Sequence, residues 1–124
     1  MGLFEIKTVH FYVLPDGTVT EAPTDDAIAW IKVKDVLPYE ELLAYQKEQF
    51  KYIDIADPTK PKIKPGYVDL DKFLLKLAIV DWSEDVEVNE ENIGKLPGNV
   101  VTALVNELKK RYGLMVETNT VVGE

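Results

Sequence analysis

The stretch LAIVDWSEDVEVNEENIGKLPGNVVTALVNELKKRYG, residues 77–113, decides the fold of this chain. An apolar run ends at Asp81-Trp82, an acidic segment follows, and a second apolar run starts after Leu96-Pro97-Gly98. In the second run apolar residues recur at helical spacing, which predicts an amphipathic helix that ends at Gly113. Between the two runs, Asn89 can cap a short helical turn.

The first run belongs to a longer helix, which the sequence predicts from Leu70 to Trp82 with Asp69 as its cap. Apolar residues lie on most of its circumference, and only Lys72 and Lys76 form a polar stripe. Such a helix must be covered on most sides, so we expect it at the centre of the domain. Another chain could provide part of that cover, which leaves a homo-oligomer open.

The N-terminal residues have the pattern of strands. Residues 4–13 can alternate between an apolar and a more polar face, and Leu14-Pro15-Asp16-Gly17 then offers a turn. Because Thr18-Val19-Thr20 is β-prone, we expect a β-hairpin there. A further alternation over residues 29–34 predicts a third strand.

The period changes at Pro38, which suits the first position of a helix and is followed by acidic residues that favour the positive end of the dipole. We expect this helix to run from Pro38 to about Tyr52. Residues 54–67 contain three prolines and a glycine, too many for regular structure, and predict a long loop. The lysines at 60, 62 and 64 make this loop either a solvated connector or a partner-binding finger.

These patterns together predict a single α+β domain over residues 1–124. It comprises a β-rich part (1–36) with a hairpin and a third strand, a helical part (37–113) with three main α-helices, and a C-terminal tail (114–124). A chain of 124 residues buries roughly two thirds of the surface that its unfolded form exposes, which is enough for one core.

Composition excludes several classes of function. The formal net charge is −8, which opposes binding to nucleic acid and to anionic membranes. The chain has no cysteine, so disulfides, thiolate metal sites and a cysteine nucleophile are excluded. No apolar run approaches the roughly 18 residues of a membrane span, and the start lacks the apolar segment of a secretory signal. A cytoplasmic location is therefore expected.

The sequence offers little for catalysis or for holding a metal or cofactor. His10 is the only histidine, and Ser83, the only serine, is far from it in sequence. Acidic side chains at 81, 84, 85 and 87 could form a cation site or an acid–base pair, but the glycine and glutamate of a calcium loop are missing. A solvated acidic loop is the simpler interpretation. We therefore expect a binding protein without a cofactor, not an enzyme.

Three segments resemble a known family. The first segment is similar to a helix end and comprises Ala78-Ile79-Val80-Asp81-Trp82. The second is similar to the element before an amphipathic helix and comprises Glu91-Asn92-Ile93-Gly94-Lys95-Leu96-Pro97, and the third, residues 31–41, is similar to a strand-to-helix transition. The family that they resemble is that of the tail assembly chaperones of long-tailed bacteriophages and prophages. The resemblance covers about half of the chain. The loop SEDVEVN lacks the Asp-Gly turn that is common in the family, and the hairpin of residues 4–20 matches no family pattern.

The resemblance implies a non-enzymatic role. Such chaperones bind the long hydrophobic tape measure protein in the host cytoplasm, keep it soluble, help tail tube subunits to polymerise around it, and are absent from the mature virion. For this chain it implies a partner-binding surface near the tryptophan, the Leu-Pro element and the last helix. The candidate residues are Trp82, Ile93, Leu96, Val101, Leu104 and Leu108. A closed core is the alternative for these residues, and the ring of Trp82 could either close that core or cap a groove.

Two rival functions stay open. The first is a structural component of the phage particle, such as a tail or connector subunit. The second is a small enzyme that uses Asp81, Glu84 or Glu87.

Overall fold

A computed structural model describes residues 3–50, 53–54, 62–63 and 69–114. In it, most segments of alternating polarity form strands and most segments of helical period form helices. The fold is α+β, as the sequence predicts. The strands are β1 (Thr8–Val13), β2 (Val19–Thr20), β3 (Ala29–Lys34), β4 (Ile53–Asp54), β5 (Lys62–Ile63) and β6 (Ile79–Trp82). The helices are α1 (Tyr39–Phe50), α2 (Asp69–Ala78), α3 (Glu90–Ile93) and α4 (Gly98–Tyr112).

The predicted β-hairpin and third strand are confirmed. β1 pairs antiparallel with β2, and on its other side with β3 along its whole length. The turn closes with the backbone N–H of Leu14 donating to the carbonyl of Thr18 at 2.9 Å. Gly17 has a φ of 90°, a backbone conformation that residues with a Cβ atom rarely adopt. The Pro-Asp-Gly turn therefore sets the hairpin where the sequence indicates it.

The predicted first helix is also confirmed, with α1 one residue later at its start than expected. Its expected end at Tyr52 lies outside the described residues, as does most of the loop over residues 54–67. The expectation that this loop holds no regular structure is wrong for one pair of short segments, because β4 and β5 pair antiparallel, with Ile53 opposite Ile63. The C-terminal tail beyond Leu114 lies outside the described residues.

The main correction concerns the segment Ile79-Val80-Asp81-Trp82. The sequence predicts it as the end of a helix, but α2 ends at Ala78 and the segment forms β6, which pairs antiparallel with β3. The sheet therefore has four strands in the order β2-β1-β3-β6. The stretch 37–113, predicted to be helical, thus also contributes an edge strand to the sheet.

A bulge explains why this strand resembles a helix in sequence. Trp82 lies opposite Ile31 and Asp81 opposite Lys32, but the next residue of β3, Val33, lies opposite Ile79. The extra residue lets Ile79 and Trp82, three positions apart, both face the core. In a regular strand they would face opposite sides. A spacing of three is also a helical spacing, so the apolar pattern alone does not separate the two structures.

One apolar cluster joins the sheet to the helices. The inner sheet face contributes Phe11, Val13, Ile31 and Val33, all buried. Helix α2 contacts α1, α3 and α4, so its broad apolar surface is covered within the chain. The sequence leaves cover from another chain open, and these contacts of α2 do not require it.

Ion pairs link the C-terminal end of α4 to the residues that directly follow β2 and β3. Arg111 forms ion pairs with Glu21 and Asp35, and its guanidinium lies 5.8 Å from the centre of the Phe11 ring. Burial lowers the pKa of Arg111, but the two carboxylates outweigh it, so the pKa is raised overall. Gly113 then ends the helix in the left-handed conformation, with φ 71°, as predicted.

Candidate functional site

An apolar groove of about 530 Å³ opens at one end of the sheet. At this end β1 finishes, β3 begins and β6 finishes, because Val13 lies opposite Ala29 and Ile31 lies opposite Trp82. The acidic loop that follows β6, residues 83–88, forms one wall, and the connection between α3 and α4 forms another. The lining residues are Val13, Ile28, Ala29, Trp30, Ile31, Trp82, Glu84, Asp85, Val86, Asn92, Lys95, Leu96, Pro97 and Val100.

The indole of Trp82 connects the core to this groove. Only 5% of the residue is exposed, and it packs into the core while one edge lines the groove. Its Nε1–H donates to the carbonyl oxygen of Val86 at 2.8 Å, which gives the buried polar tip a partner. The ring therefore closes the core and at the same time holds the acidic loop over the groove.

Further hydrogen bonds fix the acidic loop to the sheet and to α3. The backbone N–H of Trp30 donates to the hydroxyl of Ser83, and the N–H of Ser83 donates to the carbonyl of Trp30, both at 3.0 Å. At the other end of the loop, the amide of Asn92 donates to the carbonyl of Glu87 at 2.8 Å. The loop is thus positioned by its own side chains before any partner arrives.

Helix α3 is short and depends on its cap. The side chain of Asn89 accepts from the backbone N–H of Asn92 at 2.9 Å, as the sequence predicts for an N-cap. Glu90 is joined to Lys76 of α2 at 3.1 Å, and this hydrogen bond lowers the pKa of the Glu90 carboxyl. The cap and the ion pair together place Leu96 and Pro97 at the groove.

The six predicted partner-binding residues fall into three groups. Trp82 and Leu96 line the groove. Ile93 and Val101 line, with Leu96, a second depression of about 340 Å³ between α2 and the α3–α4 connection. Leu104 and Leu108 are fully buried in the core, with 0% exposure.

Burial separates the six residues, because four of them are buried: Trp82, Ile93, Leu104 and Leu108. The closed-core alternative therefore describes Leu104 and Leu108, which reach neither depression. Of the six candidates, only Leu96 and Val101 are half-buried and present accessible apolar surface.

Two apolar residues of the groove were missed by the sequence analysis. Ile28 is 66% exposed and Val86 is 54% exposed, and both line the groove. Val86 does leave a signal, since it is an apolar residue inside the otherwise acidic run SEDVEV. Ile28 leaves a weaker one, because it directly precedes the third strand.

Several of the side chains considered for catalysis have structural partners. The hydroxyl of Ser83 donates to Glu84 at 3.1 Å, and the carboxylate of Asp81 accepts from the backbone N–H of Trp82 at 2.9 Å. His10 lies on the outer sheet face, with its ring centroid 4.9 Å from that of Trp30 in an edge-to-face arrangement. Within residues 3–50 and 69–114, no group of three or more acidic, histidine or cysteine side chains is arranged to hold a metal ion.

None of the helices in the described part of the chain has the length and apolar character needed to cross a bilayer. Comparisons with known protein families, with curated proteins and with solved structures found no match to this chain.

Proposed function

We propose that this chain is a tail assembly chaperone of a long-tailed phage or prophage, and that it acts by binding and not by catalysis. Its client is the tape measure protein, held in the host cytoplasm while tail tube subunits assemble around it. The chaperone itself is absent from the mature virion.

The observation that carries the proposal is the meeting of the three family-like segments at one groove. Ile31 comes from the strand-to-helix segment, Trp82 from the Ile-Val-Asp-Trp segment and Leu96 from the Leu-Pro segment, and all three line the groove. They are far apart in sequence, so their convergence is not a trivial result of chain proximity. It supports a shared binding role for the segments that carry the resemblance.

The character of the groove also supports a hydrophobic client. A chaperone for an aggregation-prone helix needs apolar surface for affinity and surplus charge for solubility. Ile28, Val86 and Leu96 supply accessible apolar surface, and the net charge of −8 supplies the second requirement.

Co-expression with the tape measure protein of the same genome tests the proposal. We expect the client to become soluble and to co-purify with this chain. Val86→Glu should abolish this, because it places a charge on the apolar lining of the groove. Val36→Glu is the matched control, since Val36 is also exposed, at 68%, but does not line the groove. A client that stays insoluble with the unaltered chain overturns the proposal.

One observation favours the rival function of a structural tail or connector subunit. Leu3 and Phe4 are exposed to 97% and 96%, as expected for an arm that contacts a neighbouring subunit. Detection of this chain in purified virions, at a copy number that fits a tail component, would favour this alternative over the chaperone.

A further inference from the structure

We propose that the segment bound in the groove is an amphipathic helix whose apolar anchor residues are flanked by lysine or arginine. This inference rests on the proposed function, because it specifies the chemistry of the client at the same groove. It is carried by the distribution of charge around the apolar lining.

Uncompensated negative charge lines one wall of the groove. Glu84 and Asp85 are exposed there, and none of the ion pairs seen in the described residues involves either of them. Among the described residues, Glu84 accepts a hydrogen bond only from the neutral hydroxyl of Ser83. Two carboxylates therefore face any occupant without a cation of their own.

The opposite wall does not cancel this charge. Lys95 is the one basic residue that lines the groove within the described part of the chain. Its ammonium group is already 3.6 Å from the carboxylate of Glu91. An occupant thus meets an apolar floor with a net acidic rim, and cationic side chains beside its apolar anchors complement that rim.

The wall is also preorganised. Trp82, Ser83 and Asn92 fix the acidic loop through the hydrogen bonds to Val86, Trp30 and Glu87. The loop therefore needs little further ordering when an occupant binds. Because that entropy cost is small, it offsets little of the attraction between the occupant's cations and the carboxylates.

Charge also argues against the other classes of occupant. A second copy of this chain carries the same net charge of −8, so its approach is opposed by repulsion at low salt. An acidic apolar segment meets the same repulsion at Glu84 and Asp85. An occupant with apolar anchors and basic flanks is the one that both the floor and the rim favour.

Synthetic amphipathic peptides of about 20 residues, long enough to form helices, provide the test. Three peptides share a leucine face and carry lysine, glutamine or glutamate at the flanking positions. Binding is measured by calorimetry at about 0.05 M and about 0.5 M salt, where screening differs strongly. We expect the affinity order lysine, glutamine, glutamate, with the differences reduced at high salt.

A double variant locates the effect. Glu84→Gln with Asp85→Asn should weaken binding of the lysine peptide by about 2- to 30-fold, the range expected for two exposed ion pairs. It should leave the glutamine peptide unchanged. Glu5→Gln with Glu40→Gln is the matched control, since both residues are exposed and neither lines the groove.

The outcomes separate this inference from the proposed function. If the tape measure client is solubilised but the three peptides bind equally, or the double variant behaves like the control, the charge inference is wrong and the chaperone proposal stands. If the client also stays insoluble, the chaperone proposal fails. Tighter binding of the lysine peptide than of the other two, weakened in the double variant, supports the inference even where a different basic client is the natural one.

Discussion

Replacement of Trp82 by phenylalanine tests the claim that one ring joins the core, the sheet edge and the acidic loop. The side chain is buried, lies at the end of β6 opposite Ile31, and donates to the carbonyl of Val86. Trp82→Phe removes this donor and leaves a smaller ring in the same position. The variant should fold, because an aromatic residue still fills most of the space.

The expected loss of stability follows from two contributions. Phenylalanine buries a few heavy atoms fewer than tryptophan, which costs about 1–2 kcal/mol. The lost hydrogen bond adds about 1 kcal/mol, at the low end because Val86 is exposed and its carbonyl can bind water instead. The free energy of unfolding should therefore fall by about 2–3 kcal/mol, a large share of the roughly 5–15 kcal/mol that holds a domain together.

Urea unfolding followed by circular dichroism measures this change. With a slope of about 1–3 kcal/mol per molar urea, the midpoint should fall by roughly 0.7–3 M. Trp30→Phe is the matched control, because Trp30 is only half-buried and its ring packs on His10 on the outer sheet face. It should cost less than about 1 kcal/mol.

Each single-tryptophan variant also reports on its remaining ring. In Trp30→Phe the emission comes from the buried Trp82 and should resist quenching by acrylamide, whereas in Trp82→Phe the remaining ring should be quenched more readily. A Trp82→Phe midpoint equal to that of the unaltered chain, or a larger loss for Trp30→Phe, would refute the assignment of Trp82 to this role.

Three further predictions test the turn, the cap and a buried phenol. Gly17→Ala should lower the free energy of unfolding, measured in urea, by about 1–2 kcal/mol, because φ is +90° and a Cβ would lie 2.1 Å from the side chain of Asn99. Gly98→Ala is its control and should be neutral or stabilising, since the space around Gly98 is open. Asn89→Ala should cost about 1 kcal/mol through the lost cap of α3, and the exposed Asn106→Ala should not; equal midpoints would contradict the cap. Burial raises the pKa of the Tyr112 phenol above its ordinary 10.0, so the unfolded chain ionises first and stability that is complete below about pH 10 falls as the pH rises further. Tyr112→Phe should remove that part of the alkaline decline above about pH 10, and an unchanged slope would show that the phenol does not contribute.

The parts of the fold that local chemistry determines could be predicted from the sequence. The hairpin follows from alternation on both sides of Pro15-Asp16-Gly17, whose geometry is set within four residues. The cap at Asn89 and the stop at Gly113 likewise depend only on near neighbours, and both are confirmed. In each case one residue type satisfies a backbone requirement that few others can meet.

The groove could not be predicted in this way, because its geometry depends on contacts between distant segments. Trp82 lies opposite Ile31, some fifty residues earlier in the chain, and Leu96 reaches the same place from the α3–α4 connection. The sequence indicated Trp82 and Leu96 as candidates, but it gave equal weight to Leu104 and Leu108, whose helical spacing is that of a core face. Exposure is decided by what packs on a side chain, and periodicity does not contain that information.

The change of Ile79–Trp82 from helix to strand also changes the argument for function. As the end of a helix, Trp82 would mark only a boundary between two packed helices. As the last residue of an edge strand, it lies where β6 leaves the sheet and the acidic loop begins, and the bulge at Val80 keeps its ring directed inward. Helix α2 itself is covered within the chain by α1, α3 and α4. Ile28 and Val86 leave accessible apolar surface at the groove, and a partner of this protein is best sought by its fit to the acidic loop beside Trp82.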